Sequence, residues 1–386
     1  MNIIDISKCI SFTSNSLSKL DNFICTNSIN FKSNNPKIIL DSMKIAFCAN
    51  LDIKPIDNNI YDVKKMLTNF DQDFNDVQNS KFQTNVKKSD RIFSFQLKIG
   101  DNKISIYILC PKNYNCIGYI SAILHAINTF CNMFTYNYNG LDIYISLDNN
   151  LRNADLYQSK NYENIFKNLK KNSQAFNVSG VTNRGKKLII LTKRQEIIKL
   201  LYHEMVHFIG LDHQLLGIIK NHDWNIINPK LNLSEAYTEF ISILLNCAYQ
   251  TLQIYHKCDL DMYLLYKKLL ELETEYSIVL TQKILHFYGY DQKNIHEFFD
   301  KNRSNKLPAH NPILIWEYII IRTKLLLNLD GFNWKSLSDL KVNHNNLTQI
   351  VNFMEIDKNF IQNLKFDCVF DNSFSYNLID IDWNYI

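Results

Sequence analysis

The chain has 386 residues, of which 46% are hydrophobic and 21% are charged. This composition excludes a disordered chain, and the length is sufficient for more than one domain around a sizeable core. The formal net charge of +4 at pH 7 is too small to indicate a nucleic-acid partner. The function must therefore be inferred from local motifs.

The cysteines and the start of the chain predict a compartment. The chain contains 9 cysteines, an odd number without a CxxC pair, and several of them lie in apolar runs. We therefore expect no disulfide framework and a reducing environment. Residues 1–8 lack the charged and apolar regions of a secretory signal, and the apolar run at 313–327 contains charged residues. These patterns predict an intracellular (cytoplasmic) or virion-associated protein without a membrane partner.

The predicted elements in the first half are mainly strands. Residues 1–88 contain Ser/Asn-rich stretches and a helical fragment at 61–70, without a catalytic pattern, so we expect an accessory region of unknown role. A second region at 89–233 begins with two alternating apolar runs joined by Gly100-Asp-Asn, which predict a β-hairpin. The further elements predicted in this region are a helix at 117–134 and strands at 141–147 and 187–191.

The third region, 234–386, is predicted to be a helical subdomain, with long helices at 234–257, 259–288 and 311–328. The fold class predicted from this order of elements is α+β. A mixed sheet with a backing helix precedes a mainly helical C-terminal part. We expect a cleft between the two parts.

The most informative motif is His-Glu-Met-Val-His-Phe-Ile-Gly-Leu-Asp-His at 203–213. On a helix, His203 and His207 are four residues apart, so both imidazoles leave the same face and can share one metal ion. Glu204 lies beside them, where its carboxylate can hold a water molecule at that metal. This HExxH pattern resembles that of zinc peptidases (zincins) and implies a zincin-like sheet with an active-site helix.

The context of the motif supports a helix that follows a strand. Apolar residues recur at helical spacing over 197–209. Thr192 is predicted as the N-cap of this helix, with Gln195 as its capping-box partner. The motif would then lie in the middle of a helix, as metal binding by both histidines requires.

A catalytic zinc ion usually has three protein ligands, so a third ligand must be found. His213 is one candidate, because HExxHxxGxxH resembles the metzincin signature, in which a glycine ends the helix and the last histidine reaches the metal. Gly210 has this place in the sequence, and it also suits an ordinary helix C-cap. Metzincins carry a Met-turn below the metal. Met262 instead falls in a predicted long helix, so we recognise no Met-turn.

Glu235 is the other candidate for the third ligand, and we favour it over His213. It follows Ser234, a predicted N-cap, and Glu239 lies four residues further on the same helix face. This pair resembles the second motif of gluzincins, the thermolysin-like superfamily. There the first glutamate binds zinc, and the later acid orients a metal-binding histidine. The alternative is that both are acids favoured at a helix N-terminus without a metal.

A further resemblance covers roughly residues 175–325. The segments 178–182, 234–240 and 316–320, together with the motif helix, are similar to uncharacterised HExxH proteins of large DNA viruses. This resemblance implies a viral protein and carries no established substrate.

The zincin resemblance implies a zinc metallopeptidase with one catalytic Zn²⁺ and Glu204 as general base. Gluzincins add a His or Tyr that stabilises the oxyanion, and His310, Tyr318 and Tyr237 are the candidates here. The expected partner is a peptide or protein substrate, which can add as a strand to a sheet edge near 178–182. Two alternatives stay open. One is a metzincin-type peptidase that uses His213, and the other is a zincin-like protein that binds a partner without catalysis.

Overall fold

The computed structural model describes residues 29–73, 89–147, 179–216, 218, 226–227, 233–258, 261–287, 290–299, 307–308, 314–364 and 375–385. These residues form a mixed sheet in the first half and mainly helices in the second half, which confirms the predicted α+β class. The predicted site residue His310 lies outside the described residues.

The main sheet has six strands in the order β1-β2-β3-β4-β6-β5. The strands are β1 (Asp52–Pro55), β2 (Arg91–Ile99), β3 (Asn102–Cys110), β4 (Leu141–Ser146), β5 (Gly180–Asn183) and β6 (Leu188–Leu191). The hairpin predicted from Gly100 is confirmed: β2 and β3 are antiparallel, and Gly100 has a φ of 57° in their turn. Strands β3, β4 and β6 run parallel, whereas β5 is antiparallel to β6.

Strand β5 forms one outer edge of this sheet, as the sequence predicted for 178–182, although residue 178 itself lies outside the described residues. A separate two-stranded sheet pairs β7 (Ile226–Ile227) with β8 (Leu307–Pro308).

The described helices include the predicted long ones at nearly the predicted positions. They are α1 (Lys37–Phe47), α2 (Ile60–Asp73), α3 (Ile117–Met133), α4 (Ile197–Ile209), α5 (Leu233–Ile254), α6 (Met262–Phe287), α7 (Ile295–Phe298), α8 (Leu314–Leu327), α9 (Leu347–Phe353) and α10 (Lys358–Asn363). No helix among the described residues is long and apolar enough to cross a membrane.

The two faces of the sheet are covered by different helices. On one face, alternate residues of β3 (Ile104, Ile106 and Ile108) are fully buried in the main core with helices α3, α4 and α5. On the other face, Val63 and Leu67 of α2 cover a smaller cluster that includes Tyr144 and Ile190. Burial of each large apolar side chain contributes about 1.5–3 kcal/mol, so both layers stabilise the sheet.

The described part of residues 1–88 belongs to this core. Helix α1 packs against α3 and α5 through Ile39, Leu40 and Met43, which are buried at helical spacing. Strand β1 pairs with β2 and extends the main sheet. Residues 29–53 therefore contribute to the same core as the motif helix, whereas α2 covers the other face of the sheet. This place could not be predicted from the sequence, because β1 has only four residues.

The start of helix α4 differs from the prediction. The helix begins at Ile197, and its N-cap is Glu196 in the left-handed region (φ 61°), without a side-chain cap. The hydroxyl of Thr192 instead donates to the backbone oxygen of Ser179, so the predicted Thr192 cap is wrong. The predicted Ser234 cap is also wrong, because α5 already begins at Leu233.

The C-terminal segment 375–381 explains why Glu196 has this conformation. The buried Glu196 carboxylate accepts hydrogen bonds from the backbone N–H groups of Tyr376 (2.6 Å) and Asn377 (3.4 Å). Glu273 of α6 accepts the next two N–H groups, from Leu378 and Ile379, both at 2.9 Å. Two buried carboxylates therefore satisfy four consecutive backbone donors and hold this segment against the start of the motif helix.

Candidate metal centre

Helix α4 places the HExxH residues in the interior. His203 and Glu204 are 5% and 4% exposed, and His207 is half-buried. The helix ends at Gly210, which adopts a left-handed conformation (φ 69°) and donates its N–H to the carbonyl oxygens of Val206 and His207. The sequence reading of Gly210 as the helix terminator is therefore confirmed.

Three side chains converge next to this helix. The Nε2 atoms of His203 and His207 are 3.1 Å apart. The two Glu235 carboxylate oxygens lie 3.2 Å from them, with Oε2 against His203 and Oε1 against His207. One ligand atom from each residue fits within 4.8 Å of the others, so the group can hold a metal ion. Among the described residues, no other group of three or more His, Cys, Asp or Glu side chains brings its ligand atoms this close together.

The spacing of these atoms suits a small tetrahedral ion. Zinc–nitrogen and zinc–oxygen bonds of about 2.0–2.1 Å place neighbouring tetrahedral ligands about 3.3 Å apart. The observed separations of 3.1–3.2 Å are close to this value. Two imidazoles and one carboxylate also form a donor set found in catalytic zinc sites, with a fourth position left for water.

Each histidine turns its other nitrogen toward a carboxylate. The Nδ1 atom of His203 lies 3.3 Å from Glu239, and the Nδ1 atom of His207 lies 2.9 Å from Asp212. Such carboxylates fix the ring orientation and leave Nε2 for the metal. The gluzincin resemblance predicted this place for Glu239. It did not predict Asp212, although this acid lies within the 203–213 motif.

A buried ionic cluster lies behind Glu239. Its carboxylate pairs with Lys199 of α4, and Arg322 of α8 approaches within 3.5 Å. These three side chains are 3%, 1% and 0% exposed. Buried charges at this depth are tolerated only when they are paired. The sequence offered one signal that was missed: Lys199 precedes His203 by four residues on the same face of an otherwise apolar helix.

The charges in the centre are strongly coupled. Burial alone would raise the pKa of Glu235, but the neighbouring His207 and His203 hold this pKa well below its usual range. Burial likewise opposes ionisation of His207, yet Glu235 and Asp212 raise the pKa of its imidazole well above the ordinary value. The ionised form of Glu235 is thus favoured, and a metal ion would replace the protons of the imidazoles.

Glu204 lies beside the group of three but does not belong to it. Burial raises the pKa of its carboxyl group, and the nearby His203 and His207 partly offset this effect. The Thr182 hydroxyl on strand β5 donates to Glu204 Oε2 at 2.7 Å. A buried carboxylate with a raised pKa suits general base catalysis near neutral pH.

The other predicted residues are elsewhere. His213 is exposed, and its Nδ1 lies 3.3 Å from the Arg184 guanidinium, so the structure does not bring it to the three ligands. The Tyr237 hydroxyl donates to the Leu340 carbonyl oxygen at 2.7 Å, which is a packing contact. Tyr318 is buried on α8, and its ring packs edge-on against Tyr376 at 6.3 Å between centroids.

The fold and the site together define an α+β protein whose partly buried His-His-Glu group can hold a metal ion. No protein-family model matches the chain, and no solved structure matches it. The chain is 45% identical over 359 residues to the uncharacterized protein R210 of Acanthamoeba polyphaga mimivirus. This match covers 91% of the chain and 92% of the viral protein. The chain therefore belongs to the same family as this viral protein.

Proposed function

We propose that the protein is a zinc-dependent metallopeptidase that hydrolyses a peptide bond. The observation that carries this proposal is the convergence of His203, His207 and Glu235 within 4.8 Å, beside a buried carboxylate that is not one of the ligands. Three ligands with a free fourth position are the pattern of a catalytic zinc site, whereas structural sites have four protein ligands.

The three side chains would hold the ion through His203 Nε2, His207 Nε2 and one or both oxygens of Glu235. A bound zinc ion would supply a Lewis acid that polarises the scissile carbonyl and lowers the pKa of a water molecule toward neutrality. Glu239 and Asp212 would keep the two imidazoles in the required orientation.

Glu204 would act as the general base. Its carboxylate would accept a proton from the attacking water molecule as the carbon–oxygen bond forms. It would then give that proton to the leaving amine as the carbon–nitrogen bond breaks. Burial favours this role, because a carboxylate with a raised pKa is a stronger base than one in water.

Strand β5 suggests how a substrate is aligned. It is one of the two outer strands of the described sheet, and its residues Gly180 and Thr182 contact Glu204. An extended peptide that adds to the outer edge of β5 would use main-chain hydrogen bonds and would pass next to this base. Such pairing favours an extended peptide or protein as the substrate.

Metal analysis and a peptide library test this proposal. Purified protein should contain about one zinc ion per chain and cleave some members of a fluorogenic peptide library. His203→Ala should lose both zinc and cleavage, whereas Glu204→Gln should keep zinc and lose cleavage. His213→Ala serves as the matched histidine control. It should keep both zinc and cleavage, since the His213 ring contacts the Arg184 guanidinium and not the His-His-Glu group.

Different outcomes would separate the alternatives. If the wild-type protein contains no zinc, and its zinc content is the same as that of His203→Ala, a zinc peptidase is excluded. Loss of zinc in His213→Ala with retention in Glu235→Gln would restore the metzincin assignment. Stoichiometric zinc without cleavage of any library member would favour a protein that binds peptides without hydrolysing them.

A further inference from the structure

Strand β5 contacts the catalytic glutamate through one hydroxyl. The Thr182 Oγ1 atom lies 2.7 Å from Glu204 Oε2 and 3.0 Å from the Glu204 backbone oxygen. A hydroxyl has one proton to donate, and a bond to a carboxylate is stronger than a bond to a neutral carbonyl. The short contact is therefore the one that fixes the carboxylate.

Gly180 leaves the space that this carboxylate occupies. It is two residues before Thr182, on the same face of β5. A Cβ atom at position 180 would lie 2.8 Å from both Cγ and Cδ of Glu204, closer than carbon atoms approach in folded proteins. The side chain of Glu204 thus lies directly over the Gly180 backbone and is hydrogen-bonded by Thr182.

A general base next to a metal site must be kept in place. A free glutamate has several rotatable bonds, and its carboxylate can itself bind a metal ion at the position that water must occupy. Glu204 lies outside the three-ligand group although it is adjacent in sequence to His203. The Thr182 hydroxyl on strand β5 donates to one of its carboxylate oxygens.

We propose that Thr182 is a positioning residue that, with Gly180, holds Glu204 beside the metal group as a base and prevents it from becoming a fourth ligand. This inference rests on the proposed peptidase function. Thr182 acts through Glu204 and does not itself touch the reacting atoms. Strand β5 would then both align a substrate and orient Glu204, so substrate alignment and the position of the base would depend on the same strand.

The first test compares three variants by zinc content, kcat and KM. Thr182→Val keeps the shape of the side chain and removes the hydroxyl, so kcat should fall about tenfold to a hundredfold, a part of the full contribution of a general base. Zinc content and KM should stay within about twofold, because Thr182 contacts no ligand. Thr182→Ser should restore most of kcat.

Thr192→Val is the matched control. Thr192 follows the neighbouring strand β6, and its hydroxyl donates to the backbone of Ser179 at 3.1 Å. The same substitution there should leave kcat within about twofold. If Thr182→Val leaves kcat unchanged, or if it lowers kcat only in proportion to lost zinc or lost folded protein, the positioning role is wrong.

A second test separates this inference from the proposed function. Acetohydroxamic acid chelates zinc and gives a proton to a neighbouring carboxylate, so its affinity for the zinc-loaded protein reports on Glu204 without turnover. Thr182→Val should weaken binding about tenfold in the wild-type background and have no effect in Glu204→Gln, since residues that act through one contact are not additive.

The outcomes of the two tests are distinguishable. If the hydroxamate affinity depends on Thr182 only when Glu204 is intact, the positioning role holds even where no peptide is cleaved. Equal losses in both backgrounds would show that Thr182 acts independently of Glu204 and would overturn the inference. A protein that binds no zinc would overturn both the inference and the function on which it rests.

Discussion

The two histidines of the His-His-Glu group contact different parts of the molecule. His203 is oriented by Glu239, whose charge is balanced by Lys199 and Arg322 in a cluster that joins helices α4, α5 and α8. His207 is oriented by Asp212, which lies just beyond the helix end and also accepts a hydrogen bond from Ser234. We infer that the ionic cluster around Glu239, which orients His203, contributes to the stability of the whole fold. Asp212, which orients His207, would mainly affect the metal affinity.

The largest effect is expected from Glu239→Gln. This change leaves Lys199 and Arg322 buried without the carboxylate that balances them, which typically costs about 3–5 kcal/mol. The free energy of unfolding of the metal-free protein, measured in urea, should fall by this amount. Asp101→Asn, at an exposed position in the turn between β2 and β3, is the control and should change it by less than about 0.5 kcal/mol. A metal-free Glu239→Gln protein as stable as the wild type would remove the distinction between the two histidines.

The next effect concerns Glu235, the proposed third ligand. Glu235→Gln replaces the carboxylate that lies between the two imidazoles with a neutral amide. The zinc affinity should fall at least about a hundredfold, equivalent to about 2.7 kcal/mol. Competition with a zinc chelator measures this change. His213→Ala should keep the wild-type affinity, and a comparable loss in this control would contradict the ligand assignment.

A smaller effect is expected from Asp212→Asn. The amide can still contact His207 but no longer carries the charge that increases its basicity, and such changes cost about tenfold to a hundredfold in metal affinity. Chelator competition should detect this loss. Urea unfolding of the metal-free protein should change by less than about 1 kcal/mol, since Asp212 contacts mainly local partners. A loss of stability as large as that of Glu239→Gln would show that both histidine supports have the same role.

The smallest effect is expected from an ion pair between a residue of the same helix as Arg322 and a half-exposed aspartate. Lys324 lies 2.7 Å from Asp357, whose side chain is 51% exposed. Slight burial would raise the pKa of Asp357, but the hydrogen bond with Lys324 lowers this pKa overall. The pair therefore stabilises the fold above the unfolded pKa of about 3.9 and loses this contribution as the pH falls through the lower folded value.

Asp357→Asn tests this ion pair. The amide still accepts the capping hydrogen bond from Phe360, so the change mainly removes the charge. Unfolding at pH 7 should become easier by less than about 1 kcal/mol, and the difference from the wild type should vanish at the acidic end of the titration. A difference that grows as the pH falls would contradict the sign of the pKa shift.

The sequence predicted the parts of the site that depend on local spacing. His203, Glu204 and His207 share one helix, and Glu235 and Glu239 share another. Helical periodicity placed each set on one face, and the resemblance to zincin motifs indicated which of these residues to consider as ligands. The supporting groups could not be found in this way. Arg322 comes from a helix far along the chain, and nothing in its neighbourhood indicates that it faces Glu239.

The errors at the helix starts have the same physical origin. The patterns at Thr192 and Ser234 are good local caps, but tertiary contacts used both hydroxyls differently: Thr192 bonds to Ser179, and Ser234 bonds to Asp212. The hairpin and the long helices were predicted because their signals are contained in one continuous stretch. The place of β1 at the other edge of the sheet depends on its pairing with β2, which no local sequence pattern predicts.

The C-terminal segment held by Glu196 and Glu273 has a consequence for the order of folding. Glu196 and the backbone amide of Tyr376 are 180 residues apart in the chain. During synthesis, the helix that carries His203 is made long before the segment whose amides bind the carboxylate of its N-cap residue. A nascent chain therefore lacks these hydrogen bonds until Tyr376 and the residues after it have been made, and we expect the start of the motif helix to reach its final form only after that segment has docked.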